Sequence, residues 1–319
     1  MKNNVDRRAF LKTSLAGATG ATMTFGFEER ILLAKSKDDS SAPEPAIMPS
    51  SMPAGKIKNL SISRLICGGN LISGHAHSRD LLYVSALLKN YFTDDRVMET
   101  LQKCESNGIN TAILRLDEHT LRILKRYRKE RNGRIQWIAQ IKPTKNDLTT
   151  DADAAIDNGA LGVYIQGETG DRFFREGMVE QLGVVVEHIK KRGAVAGIGA
   201  HMIDVVIASE KAGLQPDFYM KTFNSKSYWS AGPAERHDSV WEETPQQTLE
   251  FMKTVEKPWI AFKVLGAGAI PPEEGFTYAF ENGADFICVG MFDFQVAQDA
   301  NIACKTLNAL LDRDRPWRA

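Results

Sequence analysis

Short apolar runs rich in Val, Ile and aromatic residues alternate with longer amphipathic stretches from about residue 60 onward, and the alternation runs through eight units. The runs are Leu60 to Gly69, Thr111 to Arg115, Ile135 to Ile141, Gly162 to Gly167, Ala194 to Ala200, Phe218 to Phe223, Trp259 to Gly266 and Phe286 to Met291. Helical patterns lie between them at Asp94 to Asn107, His119 to Glu130, Met178 to Lys191, Ile203 to Ala212, Gln246 to Val255 and Pro272 to Asn282. Gly108, Gly159, Gly213 and Gly283 each stand just before a strand, where a helix favours a left-handed stop. Eight β/α units close a barrel, so the pattern predicts an α/β fold: a single (β/α)8 barrel of the TIM type. A doubly wound open sheet is the alternative, but it has no reason to stop at eight strands.

The chain ahead of this pattern reads differently. Asp6-Arg7-Arg8-Ala9-Phe10-Leu11-Lys12 resembles a twin-arginine export motif, and the mildly apolar Thr13 to Phe25 behind it is too short to span a bilayer. Residues 1–36 are therefore expected to form an export signal, with the twin-arginine translocase as a transient partner and the periplasm as destination. Residues 37–54, dominated by Ser, Pro and Asp, read as a flexible linker, and the barrel is expected over 55–319.

Composition narrows the partners. Forty basic residues balance forty acidic ones, so the net charge calls for neither nucleic acid nor an anionic membrane. A small-molecule substrate is the expected partner, with any electrostatic selectivity local. Cys67, Cys104, Cys288 and Cys304 have neither zinc-site spacing nor the density of a disulfide scaffold, and read as core residues.

In such barrels chemistry sits at the C-terminal ends of the strands. Strand alternation places Arg115 and Asp117 after the second barrel strand, Gln140 and Lys142 at the end of the third, and Tyr164, Gln166 and Glu168 along the fourth. His201 caps the fifth, Lys221 and Asn224 end the sixth, and Lys263 lies within the seventh. Lys221 and Lys263 are set in apolar sequence, where a lysine needs an anionic partner. That partner is a carboxylate of the protein, making them structural, or a substrate carboxylate, phosphate or enolate, making them catalytic together with Lys142. Lys221 also stands on the strand that carries the Schiff-base lysine of many aldolases.

Glu168 and His201 are the general acid/base candidates, and together they offer two ligands to a divalent metal. His75-Ala76-His77 could add nitrogen ligands after the first strand, as in metal-dependent hydrolases. The long segment Asn224 to Thr244, with Tyr228, Trp229, His237 and Trp241, reads as a sugar-stacking lid in which Trp229 binds substrate, or as a loop anchored by its tryptophans. Leu265-Gly266-Ala267-Gly268-Ala269 and Val289-Gly290-Met291 stand where barrels often cradle phosphate, although tight turns use the same glycines.

Ile66-Cys67-Gly68-Gly69, followed by Phe92-Thr93-Asp94-Asp95-Arg96-Val97 through Asn107-Gly108-Ile109-Asn110, resembles the opening of the aldo/keto reductases. With the N-terminal motif it is also similar to bacterial twin-arginine-signal barrels labelled aldo/keto reductase-like. The resemblance implies NAD(P) as cofactor and an Asp, Tyr, Lys and His tetrad. Lys142 falls at the lysine position, but Ile113 stands where the Asp belongs, no Tyr occurs in Arg115 to His119, and Gln166 replaces the His.

The residues together favour an exported barrel enzyme that abstracts a proton next to a carbonyl of a small carbohydrate-derived or oxo-acid substrate, of isomerase, epimerase or lyase type. In this reading Glu168 or His201 moves the proton, while Lys221, Lys263, Lys142 and Arg115 steady the developing anion. Gln140, Tyr164, Gln166, Asn224 and Trp229 bind substrate. An NAD(P)-dependent oxidoreductase with altered catalytic residues and a non-catalytic sugar-binding barrel are the alternatives.

Overall fold

The computed structural model describes residues 52–75, 83–225, 242–310, 313 and 315–319. The twin-arginine motif, most of the expected linker, His77 and the aromatic lid residues Tyr228, Trp229, His237 and Trp241 lie outside the described residues.

Eight parallel strands close on themselves: β3 (Leu65–Gly68), β4 (Thr111–Arg115), β5 (Gln136–Ile141), β6 (Gly162–Ile165), β7 (Val195–Ala200), β8 (Phe218–Thr222), β9 (Trp259–Phe262) and β10 (Phe286–Val289), with β10 hydrogen-bonded to β3. This is the expected single (β/α)8 barrel. The helices are α1 (Tyr83–Tyr91), α2 (Asp94–Ser106), α3 (Glu118–Arg131), α4 (Thr150–Asp157), α5 (Gly167–Arg175), α6 (Val179–Lys191), α7 (Ile203–Lys211), α8 (Pro245–Thr254), α9 (Pro272–Glu281) and α10 (Val296–Ala309). Gly108, Gly159, Gly213 and Gly283 all take positive φ at the helix stops, between 68° and 101°. All four cysteines are buried, and none of them is in a disulfide.

The first apolar run is not one strand. It divides at Arg64 into β2 (Leu60–Ser63), which pairs antiparallel with β1 (Ala54–Ile57), and the barrel strand β3. Ser63 Oγ donates to the Leu65 carbonyl at 2.7 Å and turns the chain between them. Ile57 and Ile62 of the hairpin then pack against the barrel interior and close its N-terminal end. Met52 is already buried ahead of β1, so ordered packing starts inside the segment read as linker.

Two apolar layers follow from the two-residue period of the strands. Ile66, Ile113, Ile138, Tyr164, Val195, Phe218, Met220, Ile260, Phe286 and Cys288 fill the barrel, while their sequence neighbours, such as Leu65, Ala112, Trp137 and Tyr219, meet the helices. Phase along each strand therefore decides which side chains reach the mouth.

Candidate active site

Arg115, Gln140 and Tyr164 share the inward phase and stand side by side, since Arg115 pairs with Gln140 and Gln140 with Tyr164 in the strand register. The Tyr164 hydroxyl donates to Gln140 Oε1 at 2.7 Å. Burial pushes this phenol well above its ordinary pKa, so Tyr164 acts as a neutral donor within the barrel. Gln166, expected on the strand, instead follows it as the residue that opens α5, and its buried Oε1 has no hydrogen-bond partner among the described residues.

The most developed geometry lies between α5 and the end of β7. His201 Nδ1 stands 2.7 Å from Asp171 Oδ2. The other oxygen, Oδ1, accepts the backbone N–H of His201 at 2.9 Å and of Met202 at 3.1 Å. One carboxylate thus fixes both the turn that carries the imidazole and the ring itself. With Nδ1 donating to the carboxylate, the neutral ring has its lone pair on Nε2. Burial holds the His201 pKa below 6.5; Lys263 and Lys221 lower it further, and Asp171 opposes them. The ring is therefore neutral at pH 7 with Nε2 able to accept a proton. It lies beside Phe262, the inward-phase residue that ends β9, at 5.4 Å between centroids, which places it at the mouth.

Asp171 reaches His201 because α5 lies almost on β7. A Cβ on Gly170 would stand 2.1 Å from the Gly199 carbonyl oxygen, and one on Gly199 would stand 2.8 Å from the nitrogen of Gly167, the first residue of α5. Only glycine at both positions lets the helix approach this closely. The fourth barrel strand ends at Ile165 rather than Gly167, and the residues from Gly167 on form α5, which carries Asp171. The legible trace was Gly167 and Gly170, three apart and hence on one helical face.

Lys263 lies one residue beyond β9, in the left-handed region at φ 59°, and Ala267 in the same turn also has φ 59°. Each such residue costs about 1–2 kcal/mol. The turn is held by hydrogen bonds from Asn224 Nδ2 at 3.3 Å and Gly266 N at 3.0 Å, both to the Lys263 carbonyl. Lys263 is half-buried, and its charge opposes protonation of His201. Backbone strain of this kind clusters at functional sites. Asn224 therefore supports the Lys263 turn through its amide.

Other expected residues are placed elsewhere. Lys221 has the outward phase shared by Tyr219 and Phe223, and points into the helix layer rather than the mouth. Its Nζ stands 2.5 Å from Glu242 Oε2 and donates to the Thr222 carbonyl at 2.8 Å, with both charged side chains fully buried. Its anionic partner is thus a carboxylate of the protein, and the aldolase-like assignment of Lys221 is corrected. Glu168 is exposed in the first turn of α5. Lys142 is exposed just past β5, and Asp117 caps α3 by accepting Thr120 N–H at 2.8 Å.

With Nδ1 held by Asp171, His201 has Nε2 open to a metal, and exposed Glu168 is the other expected ligand. No group of three or more His, Cys, Asp and Glu side chains able to hold a metal is gathered among the described residues. The phosphate-cradle reading meets a similar difficulty. In the turn after β9 the amides of Gly266, Gly268, Ala269 and Ile270 are spent on carbonyls of the same turn. After β10, the buried Asp293 carboxylate and Phe292 occupy the corresponding place. These residues do not fit the pyrophosphate of a nicotinamide nucleotide.

The sequence matches no family model and no curated protein. Its fold is shared with solved barrels. Two structures described as an aldo-keto reductase of Pseudomonas aeruginosa each cover 82% of this chain and 99% of their own, at 13% and 14% identity and TM-scores of 0.58 and 0.56. A third, solved in complex with NADPH, covers 82% of this chain and 90% of its own at 10% identity, with a TM-score of 0.52. The likeness is one of fold, in keeping with the resemblance seen in the first two β/α units.

Proposed function

We propose that the chain is an exported barrel enzyme that abstracts a proton next to a carbonyl of a small carbohydrate-derived or oxo-acid substrate, in an isomerase, epimerase or lyase reaction. The observation that carries this reading is the Asp171–His201 pair, with a neutral imidazole at the mouth. In the proposed step Nε2 takes the proton from the substrate carbon, and the C–H electron pair moves toward the carbonyl oxygen as an enolate. Asp171 stabilises the imidazolium that forms, and the Lys263 ammonium supports the oxyanion. Returning the proton to the neighbouring carbon isomerises, returning it to the opposite face epimerises, and expelling a β-substituent eliminates. His201 is favoured over Glu168 as the base because its ring is oriented and Glu168 is solvated.

Incubation of the protein with sugars, sugar acids and oxo-acids in D2O, read by proton NMR, tests the assignment. Deuterium is expected at one carbon next to a carbonyl, and His201→Gln and Lys263→Ala should each abolish its uptake while the fold persists. Full exchange in both variants overturns the reading. Isothermal titration with NADPH at millimolar concentration should give no binding heat; a saturating isotherm would favour the oxidoreductase alternative instead.

The export half of the reading is supported by Asp6 to Lys12. Replacing Arg7 and Arg8 with Lys should retain the protein in the cytoplasm, and unchanged secretion refutes twin-arginine export.

A further inference from the structure

The mouth has two unlike sides. His201 follows β7, and β3 stands four places away from β7 in the closed ring of eight, directly across the barrel. Along the rim from β3 to β5, four to two places from β7, three chain segments deliver polar side chains that the proton transfer does not use. Arg115 ends β4, half-buried and in the inward phase; Lys142 follows β5; and the turn after β3 ends in His75. The same turn is stitched to α1, where Ser85 Oγ donates to the Gly74 carbonyl. Lys89 of α1 lies across Gly74, so closely that a Cβ there would meet Lys89 Cγ at 2.4 Å.

These groups share one field. Burial lowers the His75 pKa, Arg115, Lys89 and Lys142 lower it further, and Asp117 acts against them. Asp117 is largely committed, since it caps α3 and comes no nearer to Arg115 than 3.5 Å from Nε. That single contact leaves both Nη groups of Arg115 unclaimed among the described residues. The three permanent positive charges of Arg115, Lys142 and Lys89 outnumber the two carboxylates beside them, Asp117 and Asp151, whose Oδ2 accepts the backbone N–H of Lys142 at 3.1 Å, and make a local anion-binding field on a chain whose net charge is zero.

We propose that this rim is an oxyanion subsite for the end of the substrate remote from the reacting carbon. Arg115 supplies the bidentate fork, Lys142 and Lys89 supply point charges, and His75 supplies a ring N–H. The inference rests on the proton-transfer reading only in taking the bound oxyanion to be part of the substrate. It narrows the substrate class. The rim follows strands two to four places from β7 in the ring, so an anion held there favours a sugar acid or sugar phosphate, with its charge several bonds from the carbonyl, over a 2-oxo acid of the pyruvate type.

Isothermal titration of the full chain with glucuronate, glucose 6-phosphate, glucose and pyruvate tests this. At least one of the two distal anions is expected to bind one per chain and at least tenfold more tightly than glucose or pyruvate. The stronger of the two identifies the head group as carboxylate or phosphate. Arg115→Gln should weaken that binding about tenfold, the usual scale for a charge-assisted contact. Lys142→Gln should weaken it several-fold, and because Lys142 is exposed its replacement does not disturb folding. His201→Gln should bind the anion as the natural chain does while losing deuterium exchange, which separates this subsite from the proton-transfer assignment. Equal affinity for glucose, unchanged binding in both Arg115→Gln and Lys142→Gln, or failure of both distal anions to bind at millimolar concentration overturns the subsite.

Discussion

Asp171→Asn replaces one oxygen by an amide nitrogen and leaves the shape of the side chain unchanged. The amide oxygen of the variant can still accept the backbone N–H groups of His201 and Met202, which stand 2.9 and 3.1 Å from Asp171 Oδ1 in the natural chain. The third contact, at 2.7 Å, changes character, because the amide NH2 donates where the carboxylate accepted. The imidazole must then carry its proton on Nε2, and the nitrogen facing the mouth can no longer take one. Losing the charge-assisted contact should cost about 1.5–3 kcal/mol of stability, or a fall of roughly 3–12 °C in Tm at 2–4 °C per kcal/mol. The loss in rate should be far larger, on the order of 10⁴, as when an amide replaces the carboxylate behind a catalytic histidine. Imidazole ¹⁵N spectra report the tautomer directly and need no substrate. The natural chain should show a neutral Nδ1–H ring at pH 7, and Asp171→Asn an Nε2–H ring. An Nε2–H or charged ring in the natural chain, or deuterium exchange within tenfold of it in Asp171→Asn, would refute the reasoning.

Other perturbations follow from the same geometry. Because burial holds the His201 pKa below 6.5, the acid limb of exchange should lie below pH 6.5; a midpoint at or above 6.5 contradicts a desolvated base. The same shift has a consequence for folding: the unfolded chain takes up a proton near 6.5 that the folded chain refuses, so this contribution to stability is full above pH 6.5 and is lost as the pH falls toward the folded value. Lys221→Met should cost about 3–5 kcal/mol by stranding the buried Glu242 carboxylate, while adding Glu242→Leu should recover most of it in urea titrations. Gly170→Ala should cost about 1–3 kcal/mol by overpacking and should shift the His201 ring resonances, since α5 must move off β7. Burial, reinforced by Glu273, pushes the Asp299 carboxyl up to about 7, so its contribution favours folding at low pH and is lost as the pH rises through that value. Asp299→Asn should therefore raise Tm at pH 8 more than at pH 5, and an equal effect at both values argues against the shift.

The amino-acid order by itself determined the eight β/α units, the glycine stops of the helices and the set of polar residues gathered at the strand ends, because hydrophobic period and turn chemistry are local properties of the chain. It also put His201 among the proton-moving candidates. Phase was harder to read. Lys221 and Lys263 sit in similar apolar sequence, yet one residue of register sends Lys221 into the helix layer toward Glu242, while a left-handed backbone takes Lys263 out of the strand pattern. Asp171 was invisible as a partner of His201, thirty residues away, until α5 closed on β7 through two glycines whose missing side chains set the distance. Which polar residues meet is decided by packing between segments distant in sequence, and only the closed barrel brings the Asp171–His201 pair and the Arg115 rim to one mouth.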